Sequence, residues 1–133
     1  MGTWGAGPFD NDDASDWVYD LELVSDLSVC RNTFLSVITE DKYLEQDRGA
    51  HAIAAAEVIA ALAGVRRRSL PAGVEAWLAA HAIVPDAEDH TLALSAIGRV
   101  LAPDSELRAL WGEVADGVWE SEVDDLQERL GRV

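Results

Sequence analysis

The 133-residue chain has one cysteine, few cationic side chains and no long apolar run, and each shortage excludes a class of protein. A single thiol, Cys30, rules out an intramolecular disulfide. The longest nearly apolar stretch, residues 52–64, has 13 residues, whereas a transmembrane helix needs about 20. The opening residues also lack the basic and apolar segments of a signal peptide, so we expect a cytoplasmic protein.

Positive charge is also scarce, because 10 lysines and arginines face 25 aspartates and glutamates and the net charge is -15. Such a charge repels nucleic acid and anionic membranes, so we expect neither as a partner. It favours cationic partners, either metal ions or a basic protein surface. A high net charge also keeps a protein soluble, and charge alone indicates a solvated surface more often than a basic partner.

The apolar residues recur at helical spacing, and no segment shows a convincing alternation of period two. No repeat of fixed period and no low-complexity linker divides the chain. We therefore predict a single all-α domain over residues 1–133, built as a compact bundle of six or seven helices. Helices are expected from residue 12 onward and over residues 27–38, 43–63, 71–81, 87–101, 104–114 and 118–130. The β-branched residues of 27–38 leave a strand possible there.

The opening stretch, MGTWGAGPFDNDDASDW, is rich in glycine, aromatic side chains and aspartate. Its glycines and proline predict a loop over residues 1–8, and Trp4 and Phe9 supply apolar anchors. We also count Trp4 among the candidate functional residues, together with the polar residues at the start of the first helix and Glu57. We expect residues 1–10 to form an ordered loop packed on the bundle. Either Asp10 or Asn11 is expected to cap the first helix.

Five polar side chains at this helix start form the first candidate functional cluster: Asp10, Asn11, Asp12, Asp13 and Asp16. Oxygen ligands at alternate loop positions can converge on a hard cation. The spacing lacks the glycine of an EF-hand loop, however, and helix N-caps use these same residue types. We therefore expect one side chain to cap the helix and the others to face solvent, and we assign neither a metal nor a cofactor.

Glu57 is the only polar side chain in the stretch AIAAAEVIAALA, residues 52–63. A helix that is apolar on every face lies at the centre of a domain, so we expect this carboxylate to be buried. It is either a functional acid or a structural group satisfied by an arginine or by backbone N–H groups. Glycine-rich loops expose backbone N–H donors, so we predict that residues 2–9 lie against this helix and donate to Glu57.

Four of the five tryptophans fall at core-facing helical positions, and we expect them to pack inside: Trp17, Trp77, Trp111 and Trp119. The histidines and Cys30 lack the close sequence pairs that a zinc site usually contains.

Several stretches carry a family resemblance. The opening matches the pattern M-G-x-W-G-x-G-x-F-D/E-N-D-D-A-x-D-W, from Gly2 and Trp4 through Asp16 and Trp17. Together with AIAAAEVIAALAG around Glu57 and the later SELRALWGE, it resembles a bacterial family of small uncharacterised domains, the domain-of-unknown-function family 4259. The resemblance covers nearly the whole chain. It implies a family but no activity, and it implies that the N-terminal loop and Glu57 belong to one shared feature.

Two functions of different class fit these patterns. The first is an acidic interaction module, with an immunity-type role as one example. Such a module binds a basic protein surface through its first helix or through the C-terminal run WESEVDDLQER. The second is a metal-dependent or acid–base enzyme that uses the cluster from Asp10 to Asp16 or Glu57. We favour the interaction module, because neither acidic candidate has the spacing of an established metal or catalytic site.

Overall fold

The computed structural model describes residues 5–132, and within them the chain forms seven α-helices and no strand. The predicted all-α class is therefore confirmed, and the segment that left a strand possible is helical. The helices are α1 (Asp12–Glu22), α2 (Ser28–Ile38), α3 (Gln46–Leu62), α4 (Ala72–Ala80), α5 (Ala87–Val100), α6 (Glu106–Gly112) and α7 (Val118–Gly131). Among the same residues, no helix is both long enough and apolar enough to span a membrane.

The central helix is α3, which packs against each of the other six helices. Eleven of its 17 residues are buried, and most of these are alanines whose short side chains let neighbouring helices approach closely. The helix ends as predicted: Ala63 is the C-cap and Gly64 follows with a φ of 86°. Only glycine adopts this left-handed conformation without strain, which is why it follows so many helix ends.

The starts of α3 and α6 lie side by side, and each begins two or three residues later than expected. The N–H of Leu44 donates to the carbonyl of Asp104 at 2.9 Å, and the N–H of Glu106 donates to the carbonyl of Leu44 at 2.9 Å. These bonds hold both segments in an extended conformation, so neither can be helical there. The side chain of Glu106 then accepts from the N–H of Gln46, the first residue of α3, at 2.8 Å.

The described part of the N-terminal loop lies on the bundle. Pro8 is buried, and Ala6 and Phe9 pack against the apolar core. The loop is closed by Asp10, whose Oδ2 accepts from the N–H of Gly7 at 3.1 Å. A Cβ atom at either Gly5 or Gly7 would lie only 2.6 Å from that oxygen, so the loop needs glycine at both positions for this close approach.

Three of the four tryptophans expected in the core are there: Trp17, Trp77 and Trp119 are each at most 4% exposed. Trp111 is only half-buried, and its ring stacks on Trp119 with centroids 6.5 Å apart. Trp111 belongs to α6, a helix of seven residues with no fully buried side chain. This helix therefore packs on the periphery of the apolar core.

Candidate functional site

The first turn of α1 shows which of the two expected residues caps the helix. Asn11 is the N-cap, in an extended conformation, and its Oδ1 accepts from the N–H of Ala14 at 2.8 Å. Asp10 does not cap α1, because its carboxylate closes the preceding loop. Asp12 and Asp13 occupy the first turn, where negative charge complements the helix dipole.

The predicted cluster from Asp10 to Asp16 does not converge on a common point. Asp10 and Asn11 accept backbone N–H bonds, Asp12 and Asp16 are exposed, and Asp13 is half-buried beside a small cleft. Within residues 5–132, no three histidine, cysteine, aspartate or glutamate side chains are placed to hold a metal ion. Asp10 lies before the helix and turns back to Gly7, and Asp12 and Asp13 point about 100° apart because they are successive residues of a helix.

Trp4, the remaining member of the predicted site, lies outside the described residues. The predicted donation from the glycine-rich segment to Glu57 does not occur among the residues that the structure describes. The N–H of Gly7 donates to Asp10, and both carboxylate oxygens of Glu57 accept from an arginine. The arginine interpretation of Glu57 is therefore the correct one.

That arginine is Arg129, at the end of α7. Its Nη1 and Nη2 atoms each donate to one oxygen of Glu57 at 2.9 Å, and the carboxylate is 1% exposed. Nη1 also donates to the carbonyl of Val65 at 3.0 Å, and Nε donates to Asp125 at 2.8 Å. Burial lowers the pKa of the Arg129 guanidinium, but the hydrogen bond to Glu57 and the neighbouring carboxylate charges outweigh it, so the pKa is raised.

This geometry makes the buried pair a structural element. A bidentate arginine occupies both oxygens of Glu57, so the carboxylate has no side open to a substrate or a metal ion. The partner is 72 residues away, which is why sequence reasoning did not identify it. One signal was present, since Arg129 lies three residues after Leu126 and adjoins Leu130 on the apolar side of α7.

A second buried carboxylate, Asp89, was not singled out from the sequence. It is 1% exposed and accepts from Nε and Nη2 of Arg31 at 2.6 and 3.1 Å, which ties α2 to α5. It also forms a reciprocal capping box with Asp86 at the start of α5. The hydrogen bond from Arg31 holds the pKa of Asp89 below its ordinary value, against the opposing effect of burial. The detectable signal was the pair of acids three residues apart before an apolar run.

Most cations of the chain are used in ion pairs inside it. Within residues 5–132, every arginine except Arg68 and Arg108 forms such a pair. The pairs are Arg31–Asp89, Arg48–Glu40, Arg66–Glu75, Arg67–Glu122, Arg99–Asp104, Arg129–Glu57 with Asp125, and Arg132–Glu128.

None of these pairs includes a carboxylate of α1. The helix carries five acids and no basic residue: Asp12, Asp13, Asp16, Asp20 and Glu22. The sequence has no lysine, arginine or histidine before Arg31. The negative charge of α1 is therefore uncompensated by the residues that the structure describes.

The outward side of α1 also exposes two large apolar residues. Tyr19 is 67% exposed and Leu23 is 84% exposed. They are four residues apart, and Asp12 and Asp16 continue the same stripe toward the N-terminus, since residues three and four apart are neighbours on a helix. We call Asp12, Asp16, Tyr19, Asp20 and Leu23 the α1 face. It lies opposite the buried side chains that anchor α1 in the core.

The C-terminal run, the other acidic surface expected from the sequence, is different. Three of its carboxylates are engaged by arginines of the chain: Glu122 with Arg67, Asp125 with Arg129, and Glu128 with Arg132. Its negative charge is therefore partly neutralised, and α1 is the more strongly uncompensated acidic helix.

A family model described as Domain of unknown function (DUF4259) matches residues 2–122. The match spans most of the chain, so the chain belongs to this family, as the opening motif indicated. No curated protein matches the chain, and no solved structure matches it. The description of the family names no activity. The function is therefore inferred from the geometry of the chain's own residues.

Proposed function

We propose that this family member is a protein-interaction module whose α1 face binds a basic surface of another protein. The observation that supports the proposal is the set of α1 carboxylates, none of which forms an ion pair within the described residues. An acidic protein attracts basic partners over long distances and speeds their association. An immunity-type role, in which the module neutralises a cationic protein, is one form of this function.

Tyr19 and Leu23 add an apolar contact to that charge. Charge steers an encounter, but affinity comes chiefly from a few well-buried side chains, among which tyrosine is enriched. A solvated helix face needs neither residue, and both are more than half exposed. The α1 face thus combines an apolar end, formed by Tyr19 and Leu23, with an acidic end toward the N-terminus of the helix.

Binding of a defined basic probe tests the proposal. The probe is a fluorescein-labelled amphipathic peptide of lysine, leucine and alanine, measured by fluorescence anisotropy at physiological ionic strength. The variant Asp16→Asn/Asp20→Asn is expected to bind about ten-fold more weakly, which corresponds to about 1.4 kcal/mol. The variant Tyr19→Ala/Leu23→Ala, which leaves the net charge unchanged, should also weaken binding.

The matched control is Glu113→Gln/Asp124→Asn, which removes two exposed carboxylates, one at the end of α6 and one on α7. Its net charge equals that of Asp16→Asn/Asp20→Asn, and we expect its affinity for the peptide to change less than about two-fold. Equal weakening by the two charge variants would mean that net charge alone attracts the peptide, and it would overturn the proposed role of the α1 face. Absence of peptide binding by the unaltered protein would overturn the proposal as a whole.

A further inference from the structure

A groove of about 190 Å³ runs along the edge of the α1 face, between α1 and the start of α4. Its walls are formed by Phe9, Val18 and Pro71, and the rest of its lining comes from Ser15, Tyr19, Glu22 and Gly73. We infer that this groove, called the Glu22 groove below, receives an arginine or lysine side chain of the basic partner. The inference rests on the proposed function, because it names the group that the partner presents beside the α1 face.

The shape and walls of the Glu22 groove suit a long unbranched side chain. Val18 is buried, and Phe9 and Pro71 are half-buried against the bundle, so the walls are apolar. The volume accommodates on the order of ten water molecules, which is enough for an extended aliphatic stem. Lysine and arginine place such stems along apolar surfaces while the charged group reaches a polar partner.

Glu22 supplies that polar partner. Its side chain forms no ion pair within the described residues, and its Oε1 lies directly against Gly73. A Cβ atom at position 73 would be 2.5 Å from this oxygen and 3.2 Å from a methyl carbon of Val18. A side chain at position 73 would therefore require the flexible Glu22 side chain to move from its present place.

The helix propensity of position 73 also supports a role for Gly73 beside the Glu22 carboxylate. Gly73 is the second residue of α4, and glycine is a weaker helix former than alanine. Its φ is not in the left-handed region, so the backbone does not require glycine there. The space beside Glu22 is what the residue provides.

Tyr19 favours arginine over lysine at the mouth of the groove. Its ring is 67% exposed and lines the groove, so one aromatic surface is open to a cation. A guanidinium stacks on an aromatic face and also donates two parallel hydrogen bonds to a carboxylate. A lysine ammonium offers a single charged point, so it makes fewer of these contacts.

The neighbouring cleft shows why the cation belongs in the Glu22 groove. This cleft, of about 250 Å³, shares Phe9 and Pro71 with the groove but is lined by Arg67 and Ser69. The one carboxylate there, that of Asp10, is bonded to the N–H of Gly7. That cleft therefore offers a cation only a carboxylate that is already hydrogen-bonded, whereas Glu22 forms no ion pair within the described residues.

The test is a ¹H–¹⁵N NMR titration of the full chain with N-acetyl-arginine amide. We expect saturable shift changes at Val18, Tyr19 and Gly73 with a Kd in the millimolar range, as is typical of so small a ligand. N-acetyl-lysine amide should bind more weakly. N-acetyl-citrulline amide, which has nearly the same shape without the charge, should cause no saturable change.

Two substitutions remove the site and one serves as a control. Glu22→Gln should abolish saturable binding of the arginine amide, and Gly73→Ala should weaken it several-fold by displacing the carboxylate. Glu22 is exposed, so Glu22→Gln is expected to fold normally, and the dispersion of the NMR spectrum checks this. The control Asp124→Asn, which removes an exposed carboxylate of α7 outside the groove lining, should leave amide binding unchanged.

The outcomes separate this inference from the proposed function. If the arginine and citrulline amides behave alike, or if Glu22→Gln has no effect, the groove does not receive a cationic side chain and the inference is wrong. The α1 face can still bind the lysine-rich peptide in that case. If the groove binds the arginine amide but Asp16→Asn/Asp20→Asn leaves peptide binding unchanged, the proposed function fails and the groove assignment stands.

Discussion

Carboxylates of this molecule occur in two opposite settings, the interior beside α3 and the α1 face. Glu57 is held by two hydrogen bonds from Arg129 and has almost no contact with solvent. Asp16 and Asp20 are exposed and form no ion pair within the described residues. A charge taken out of water needs a partner in the same chain, because its desolvation costs several kcal/mol. A charge on the surface is solvated by water, so it stays available to form an ion pair with another molecule.

The comparison separates residues that maintain the fold from residues that are free to bind. Removing a partner from the interior pair leaves a buried charge, so the free energy of unfolding should fall sharply. Removing a carboxylate from the α1 face leaves only a lost surface charge, so stability should hardly change.

The largest expected effect is that of Arg129→Ala. This substitution leaves Glu57 buried without its cation, and we expect it to lower the free energy of unfolding by about 3–5 kcal/mol. Urea denaturation followed by circular dichroism measures the change. The matched control is Arg132→Ala, which breaks an exposed pair with Glu128 and should cost less than about 0.5 kcal/mol. A similar cost for both variants would contradict the distinction between interior and surface pairs.

The next effect concerns Asp89 and depends on pH. Because its pKa is lowered in the folded state, its charge stabilises the fold above the unfolded-state pKa, and this contribution is lost as the pH falls through the folded value. At pH 7 we expect Asp89→Asn to cost about 1.5–3 kcal/mol, the range for a lost hydrogen bond to a charged group.

Urea denaturation of the unaltered protein and of Asp89→Asn between pH 7 and pH 2 measures this dependence. The difference between them should be constant near neutral pH and should shrink below about pH 3.8, the ordinary value for aspartate. A difference that is independent of pH would mean that the charge of Asp89 contributes nothing to stability.

The smallest effects should occur within α1 itself. Asn11→Ala removes the N-cap bond to Ala14 and should cost about 1 kcal/mol. Asp16→Asn and Asp20→Asn should each change stability by less than about 0.5 kcal/mol, although together they weaken peptide binding. Thermal denaturation compares the three variants. A loss near 1 kcal/mol for Asp16→Asn or Asp20→Asn would give the α1 face a structural role and weaken the case for binding.

Local features of the fold could be predicted from the sequence because each depends on neighbouring residues. The apolar surroundings of Glu57 indicated a central helix, and its predicted end at residue 63 coincides with the C-cap of α3. The start of α1 was predicted to within the choice between Asp10 and Asn11, since both are good caps. Geometry chose Asn11 because Asp10 turns back to the glycines of the loop.

Features that depend on distant residues could not be predicted. The partner of Glu57 lies 72 residues later in the chain, and several arginines had suitable chemistry. The late starts of α3 and α6 result from hydrogen bonds between Leu44 and the segment before α6, which local patterns do not reveal. The Glu22 groove likewise forms only when Gly73 of α4 meets Glu22 of α1.

The position of α3 has a consequence for how the molecule opens. Each of the other six helices packs against α3, so α3 becomes fully exposed to solvent only when all of them have separated from it. Amide protons in the middle of α3 are thus expected to exchange with solvent only when the whole domain unfolds, whereas those of the short α6 exchange through local fraying. The domain therefore behaves as a single cooperative unit surrounded by less protected edges.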